Sequence, residues 1–188
     1  MISSESSLAA IDDSVLLVVD LQEKLFPLMQ EQDVLLARVQ MLMRAAETLD
    51  LPILVTEQYP SGLGRTLRAL DGIGRQRRLE KTTFSCFGDE GVVAALRETR
   101  RRRLVLCGIE AHICVMQTAL EALDAGWEVQ VVEDAVASRL PHAAALGIAR
   151  MRQAGAVTAS AEGQIFEWLR RCDRPEFKSL LPLFKESR

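Results

Sequence analysis

Short, almost wholly apolar runs alternate along this chain with longer stretches in which apolar residues recur every three or four positions. Ser14 to Asp20 (SVLLVVD) is a near-continuous Val/Leu run ending in a carboxylate, the pattern of a strand covered on both faces. Leu21 to Met29, with Gln22, Phe26 and Pro27, reads as a short irregular or helical passage. Asp33 is then placed to cap a long amphipathic helix through Ala46, which Leu49 to Pro52 ends. Pro52 to Thr56 predicts the second strand, and EQYPSGLGR a loop marked by Pro60, Gly62 and Gly64. Thr66 to Gly74 is weakly organised, Arg77 to Lys81 is a poorly apolar third strand, and Glu90 to Thr99 is a helix. Leu104 to Cys107 predicts the fourth strand, with Gly108 breaking it before a helix with Val115, Ala119, Ala122 and Leu123 on one face. Glu128 to Val132 is a fifth strand and Ala156 to Thr158 a minimal sixth. They are separated by a helix from Ala143 to Gln153 and followed by helices over Gly163 to Arg171 and Pro175 to Glu186.

Strands alternating with helices predict an α/β fold, an open, mostly parallel sheet with helices on both faces. The expected form is one doubly wound domain over residues 1–188, with a core at about 14–171 and a C-terminal helical arm at 172–188. In the common six-strand order 3-2-1-4-5-6, strands one and four are neighbours where the winding reverses, and the crevice beyond their carboxyl ends is the expected ligand site. Asp20, Lys81 and Cys114 each follow a strand and so converge on that rim.

With 188 residues, 48% of them hydrophobic, the chain can bury one sizeable core. A net charge of -3 argues against nucleic acid as a partner despite the run Arg100 to Arg103. The spacing of Cys86, Cys107, Cys114 and Cys172 fits neither a zinc site nor a disulfide framework. The start, residues 1–12, has no basic segment followed by an apolar one, and no stretch approaches the ~20 apolar residues of a membrane span. The expectation is a soluble cytoplasmic protein without cofactor, metal or membrane partner.

Cysteine hydrolysis requires a thiolate, a group that takes and returns the thiol proton, and donors for an oxyanion. In LVLCGIEAHICVMQT, Cys114 falls in the expected first helical turn, where free N–H groups and the helix dipole favour thiolate, predicting an acidic thiol. Asp20 suits the proton work, and Lys81 would support both anions.

The segments VLLVVDLQEKLF, KTTFSCF and LCGIEAHICVMQTALEALDAGWEVQVVEDAVAS resemble the isochorismatase-like cysteine hydrolase family. The likeness runs from about Ser14 to Phe166, and TEQYPSGLG resembles its branch of isochorismatase domain-containing proteins. The resemblance implies an Asp20, Lys81, Cys114 triad, a cis peptide between Ile109 and Glu110, and an oxyanion hole from the backbone N–H groups of Glu110 and Cys114. Nicotinamidases of the family bind a metal through an aspartate and histidines near the second strand. Glu57 to Pro60 has no histidine here, and His112 and His142 are the two in the chain. Phe26, Tyr59, Phe84 and Phe87 are candidate pocket walls, and Gln22 and Gln58 candidates to orient a polar substrate group. His112 is read as a helix-start residue facing away or packing, and Asp134 and Ser138 as capping or turn residues. Cys86, Cys107 and Cys172 are read as small buried hydrophobes.

The expected activity is hydrolysis of a small amide through a thioester by a homo-oligomeric enzyme. The alternative is an oligomeric scaffold or protein-binding module with weak or lost catalysis, the arm acting as an intersubunit clasp or packing on its own domain. A redox-sensing thiol would require Cys86 or Cys107 close to Cys114.

Overall fold

The structure is a computed structural model that describes residues 8–185; residues 1–7 of the polar start, and Glu186 at the end of the expected last helix, lie outside them. Six parallel strands, β1 (Ser14–Val19), β2 (Ile53–Gln58), β3 (Gln76–Lys81), β4 (Arg103–Ile109), β5 (Glu128–Ala137) and β6 (Val157–Ala159), form one sheet in the order 3-2-1-4-5-6. The connecting helices are α1 (Gln32–Thr48), the single turn α2 (Pro60–Leu63), α3 (Glu90–Glu98), α4 (Met116–Asp124), α5 (Pro141–Gln153), α6 (Ala161–Leu169) and α7 (Pro175–Lys185).

Both faces of β1 are buried, which accounts for its unbroken apolar run. Leu16 and Val18 join a core with Val39 and Leu42 of α1 and Ile165 and Trp168 of α6. Val15, Leu17 and Val19 join a second core with Val92 of α3, Ala119 of α4 and Met151 of α5. The weak apolar character of β3 has an equally simple cause, since it is an edge strand with one face in water. Only its last residue, Lys81, is fully turned inward.

Four expectations are corrected. Gly108 does not end β4 but lies inside it, at φ +112, because a side chain there would sit 2.1 Å from the Val19 carbonyl oxygen. Cys114 lies not in a regular first helical turn but in a wider π-helical turn, Ala111–Val115, ahead of α4. Asp33 does not cap α1. Glu31 holds the cap position in a left-handed conformation, and Asp33 sits in the first turn, where its charge still favours the helix dipole.

The fourth correction concerns β5, which runs five residues past Val132. Leu106 pairs with Val131 but Gly108 with Val136, so β5 bulges between them and then rejoins β4. The polar pair Glu133-Asp134 in the bulge is what made the strand seem finished. Its second half pairs Ala137 with Ile109, at the mouth of the cysteine turn.

Candidate active site

Asp20, Lys81 and Cys114 meet at the carboxyl ends of β1, β3 and β4. Asp20 is fully buried, in a left-handed conformation (φ 52) just past β1. Its Oδ2 accepts from Lys81 Nζ at 2.7 Å and its Oδ1 from Thr56 Oγ1 at 2.7 Å. Lys81 Nζ also donates to Gln58 Oε1 at 2.7 Å and to the carbonyls of Thr83 and Phe84 at 3.1 and 3.2 Å. Neither side chain of this ion pair is exposed. Burial works against the lysine's charge, but Asp20 and the neighbouring Cys86 and Cys114 sulfurs more than reverse it and hold Lys81 above the usual lysine value.

Cys114 is nearly buried, and its thiol is not acidic. Burial and the negative charge of the adjacent Asp20 carboxylate push the thiol up to about 12 against the pull of Lys81. The dipole expectation took no account of burial, the larger cause, which outweighs both the helix start and Lys81. The resting state is therefore a thiol facing an ion pair.

The cysteine turn is held from several sides. The Ile109–Glu110 peptide is cis. The Glu110 carbonyl accepts from the N–H groups of Ile113 and Val115 at 3.0 and 3.2 Å. Its carboxylate accepts from the Arg139 N–H at 3.0 Å and from Arg139 Nε at 3.1 and 3.2 Å. Of the two places expected for His112, it takes the packed one: its Nδ1 lies 2.8 Å from Ser138 Oγ, which gives Ser138 a partner other than its own turn. Asp134 does cap, accepting from Ala161 N at the start of α6. Gly147 lets α5 press on the turn, since a Cβ there would stand 2.7 Å from His112 Cα.

Several candidates for substrate contact occupy other places. Gln22 is fully buried, with Nε2 on the carbonyls of Gln58 and Gly64 and Oε1 on Gln58 N. Gln58 spends its amide on Lys81 and the Thr82 carbonyl. Both therefore brace the lysine, because every polar atom is already satisfied within the protein. Phe26 belongs to the core beneath α1, and Phe87 packs edge-on against Trp127 at 6.0 Å. Tyr59 and Phe84 remain exposed on the rim. A polar cleft of about 430 Å³ opens beside the end of β3, between Tyr59, Arg65, Glu80 and Asp89.

Thr56, which grips the second Asp20 oxygen, escaped the sequence reading. Its signal was available: in the expected order β2 adjoins β1, so a hydroxyl at the end of β2 faces the same rim. Cys86 is buried beside the triad, its N–H on Thr118 Oγ1 at 2.9 Å and its Sγ 4.0 Å from Thr56 Oγ1. Burial pushes its thiol up to about 11. Cys172, in contrast to the expectation, is exposed. Among the described residues no cluster of His, Cys, Asp and Glu could hold a metal ion, and no helix is long and apolar enough to cross a membrane.

Residues 14–163 match the family model described as Isochorismatase domain. The chain is 37% identical to isochorismatase domain-containing protein 2A of Mus musculus, over 99% of this chain and 90% of that one. Among solved structures, a Caenorhabditis elegans protein described as MAR1 ribonuclease is 34% identical with a TM-score of 0.89, covering 95% of this chain and 93% of that one. YcaC from Pseudomonas aeruginosa, solved with hexane-2,5-diol and covalent acrylamide, is 25% identical with a TM-score of 0.87, covering 94% and 91%.

Proposed function

The chain belongs to the isochorismatase family, and from that premise we propose that it is a cysteine hydrolase cleaving the C–N bond of a small amide through a thioester. The observation that carries the reading is the buried Lys81–Asp20 pair at 2.7 Å with the Cys114 thiol against the same carboxylate. Because the thiol rests protonated, attack and proton transfer are coupled. Asp20 takes the Cys114 proton as sulfur bonds to the carbonyl carbon, and the backbone N–H groups of Glu110 and Cys114 receive the oxyanion. The oxyanion collapses, the C–N bond breaks, and Asp20 hands its proton to the departing amine. Water then adds to the thioester with Asp20 as base, the C–S bond breaks, and the proton returns to sulfur. Lys81 keeps its charge throughout and balances whichever partner is anionic.

The covalent acrylamide in the structure of the P. aeruginosa relative supports a nucleophile of this kind, since acrylamide is an electrophile to which a thiol adds at the alkene. The ribonuclease name of the C. elegans relative points to another substrate class, but the net charge of -3 favours a small uncharged molecule over a polyanion. Cys114→Ala is expected to abolish ammonia release from a panel of small amides while the thermal midpoint holds. Hydrolysis at the wild-type rate in that variant would sink the assignment. We further propose that the chain self-associates, as the fold-related YcaC gene product of Escherichia coli, described as an octameric hydrolase, does. Light scattering that gives the mass of one 20.9 kDa chain would refute this.

A further inference from the structure

We propose that Arg139 is a positioning residue for the reaction, acting through Glu110 to fix the turn that carries Cys114; this rests on Cys114 being the nucleophile. The bulge in β5 is what brings it there. Past the bulge, Val136 and Ala137 pair with Gly108 and Ile109, so the two residues that follow run alongside the first residues of the cysteine turn. Ser138 meets the His112 ring at 2.8 Å, and Arg139 meets the Glu110 carboxylate with both its backbone N–H and its Nε. The Glu110 side chain is only 5% exposed, whereas that of Arg139 is 53% exposed, so a buried carboxylate is neutralised from the rim.

Glu110 is fixed at two points. Its carbonyl closes the turn onto Ile113 and Val115, and its carboxylate ties the same residue to β5. Loss of the Arg139 guanidinium leaves the turn closed but frees it to shift against β5. Displacements of about 1 Å in a catalytic group cost roughly a hundredfold in rate, and the loss of an oxyanion donor costs about as much. The retained Arg139 N–H contact limits the shift, so the expected loss is smaller than either.

The test compares wild type, Arg139→Gln, Arg139→Lys and Cys114→Ala in p-nitrophenyl acetate hydrolysis. A second measurement follows the rate of Cys114 alkylation by iodoacetamide at its own peptide by mass spectrometry. Arg139→Gln is expected to lower kcat by about tenfold or more with KM within about twofold, because oxyanion contacts tighten only in the transition state. Alkylation, which needs no oxyanion hole, should proceed at the wild-type rate. Arg139→Lys should recover part of kcat by returning the charge without the planar fork. The inference is overturned if Arg139→Gln keeps kcat within twofold of wild type, or if kcat, alkylation and thermal midpoint all fall together, which marks a merely structural contact. No hydrolysis by wild type, or full hydrolysis by Cys114→Ala, instead removes the nucleophile on which it rests.

Discussion

Asp20 shows how one residue can be read correctly in place and incompletely in chemistry. Its position at the end of an apolar run announced a rim carboxylate, but two oxygens at 2.7 Å from Lys81 Nζ and Thr56 Oγ1 require contacts across three strands. The acidity expected of Cys114 failed for the same reason, because a helix start is a local feature, whereas the burial of the thiol and the opposing carboxylate come from residues far away in sequence. Removing one partner of a buried ion pair strands the other, at about 3–5 kcal/mol. Lys81→Met is therefore expected to lose activity and to lower unfolding stability by about that amount in urea titration; a loss below about 1 kcal/mol would show the pair to be solvated. The pH dependence has a definite sign. Lys81 and Cys114 are both raised in the folded protein, so their contributions are complete below their ordinary values, about 10.4 and 9.0, and are lost as pH rises through the folded ones. Stability should hold from neutrality to about pH 9 and fall above it.

Among the elements, β1 and the apolar parts of β2 and β4 were legible because burial on both faces leaves an apolar run, whereas Glu57 and Gln58, expected in a loop, are the buried polar end of β2. The extension of β5 was not, because Glu133 and Asp134 interrupt its pattern where the strand bulges, and no local rule says that pairing resumes. Gly108 was read as a breaker for want of knowledge of its neighbour. Its role is close approach, with Val19 N 2.6 Å and Val19 O 2.1 Å from where a Cβ would stand. Gly126 offers the natural comparison, since it too has positive φ (+84) but nothing within 4 Å of the added atom. Gly126→Ala should cost only the conformational penalty, about 1 kcal/mol, and leave activity alone. Gly108→Ala should cost about 3 kcal/mol or more and lower kcat, because it parts β1 from β4 between Asp20 and Cys114. Equal costs for the two in urea unfolding would mean that the β1–β4 spacing is not enforced there.

At the scale of the whole molecule, the alternation of strands and helices gave the parallel sheet, and the common six-strand order, taken with it, gave the rim that the structure has. The fate of the last helix was not legible, since an apolar stripe does not name its partner. In the structure α7 packs on its own domain: Leu180 is buried, and Phe184 stacks on Phe166 at 4.9 Å. The arm therefore closes the first core and, within the chain, serves as a lid on α1 and α6. The ion pair at the rim has one more consequence, for how the molecule looks from a distance. A positive lysine, a negative aspartate and a neutral thiol sum to zero, so the centre casts a dipole field, which dies away within a few ångströms of the rim. On the proposed reading, an uncharged amide would arrive neither steered nor repelled. Its kcat/KM should change by less than about twofold between about 0.05 and about 0.5 M salt, since there is no long-range attraction to screen; a steep decline across that range would show that the substrate itself carries charge.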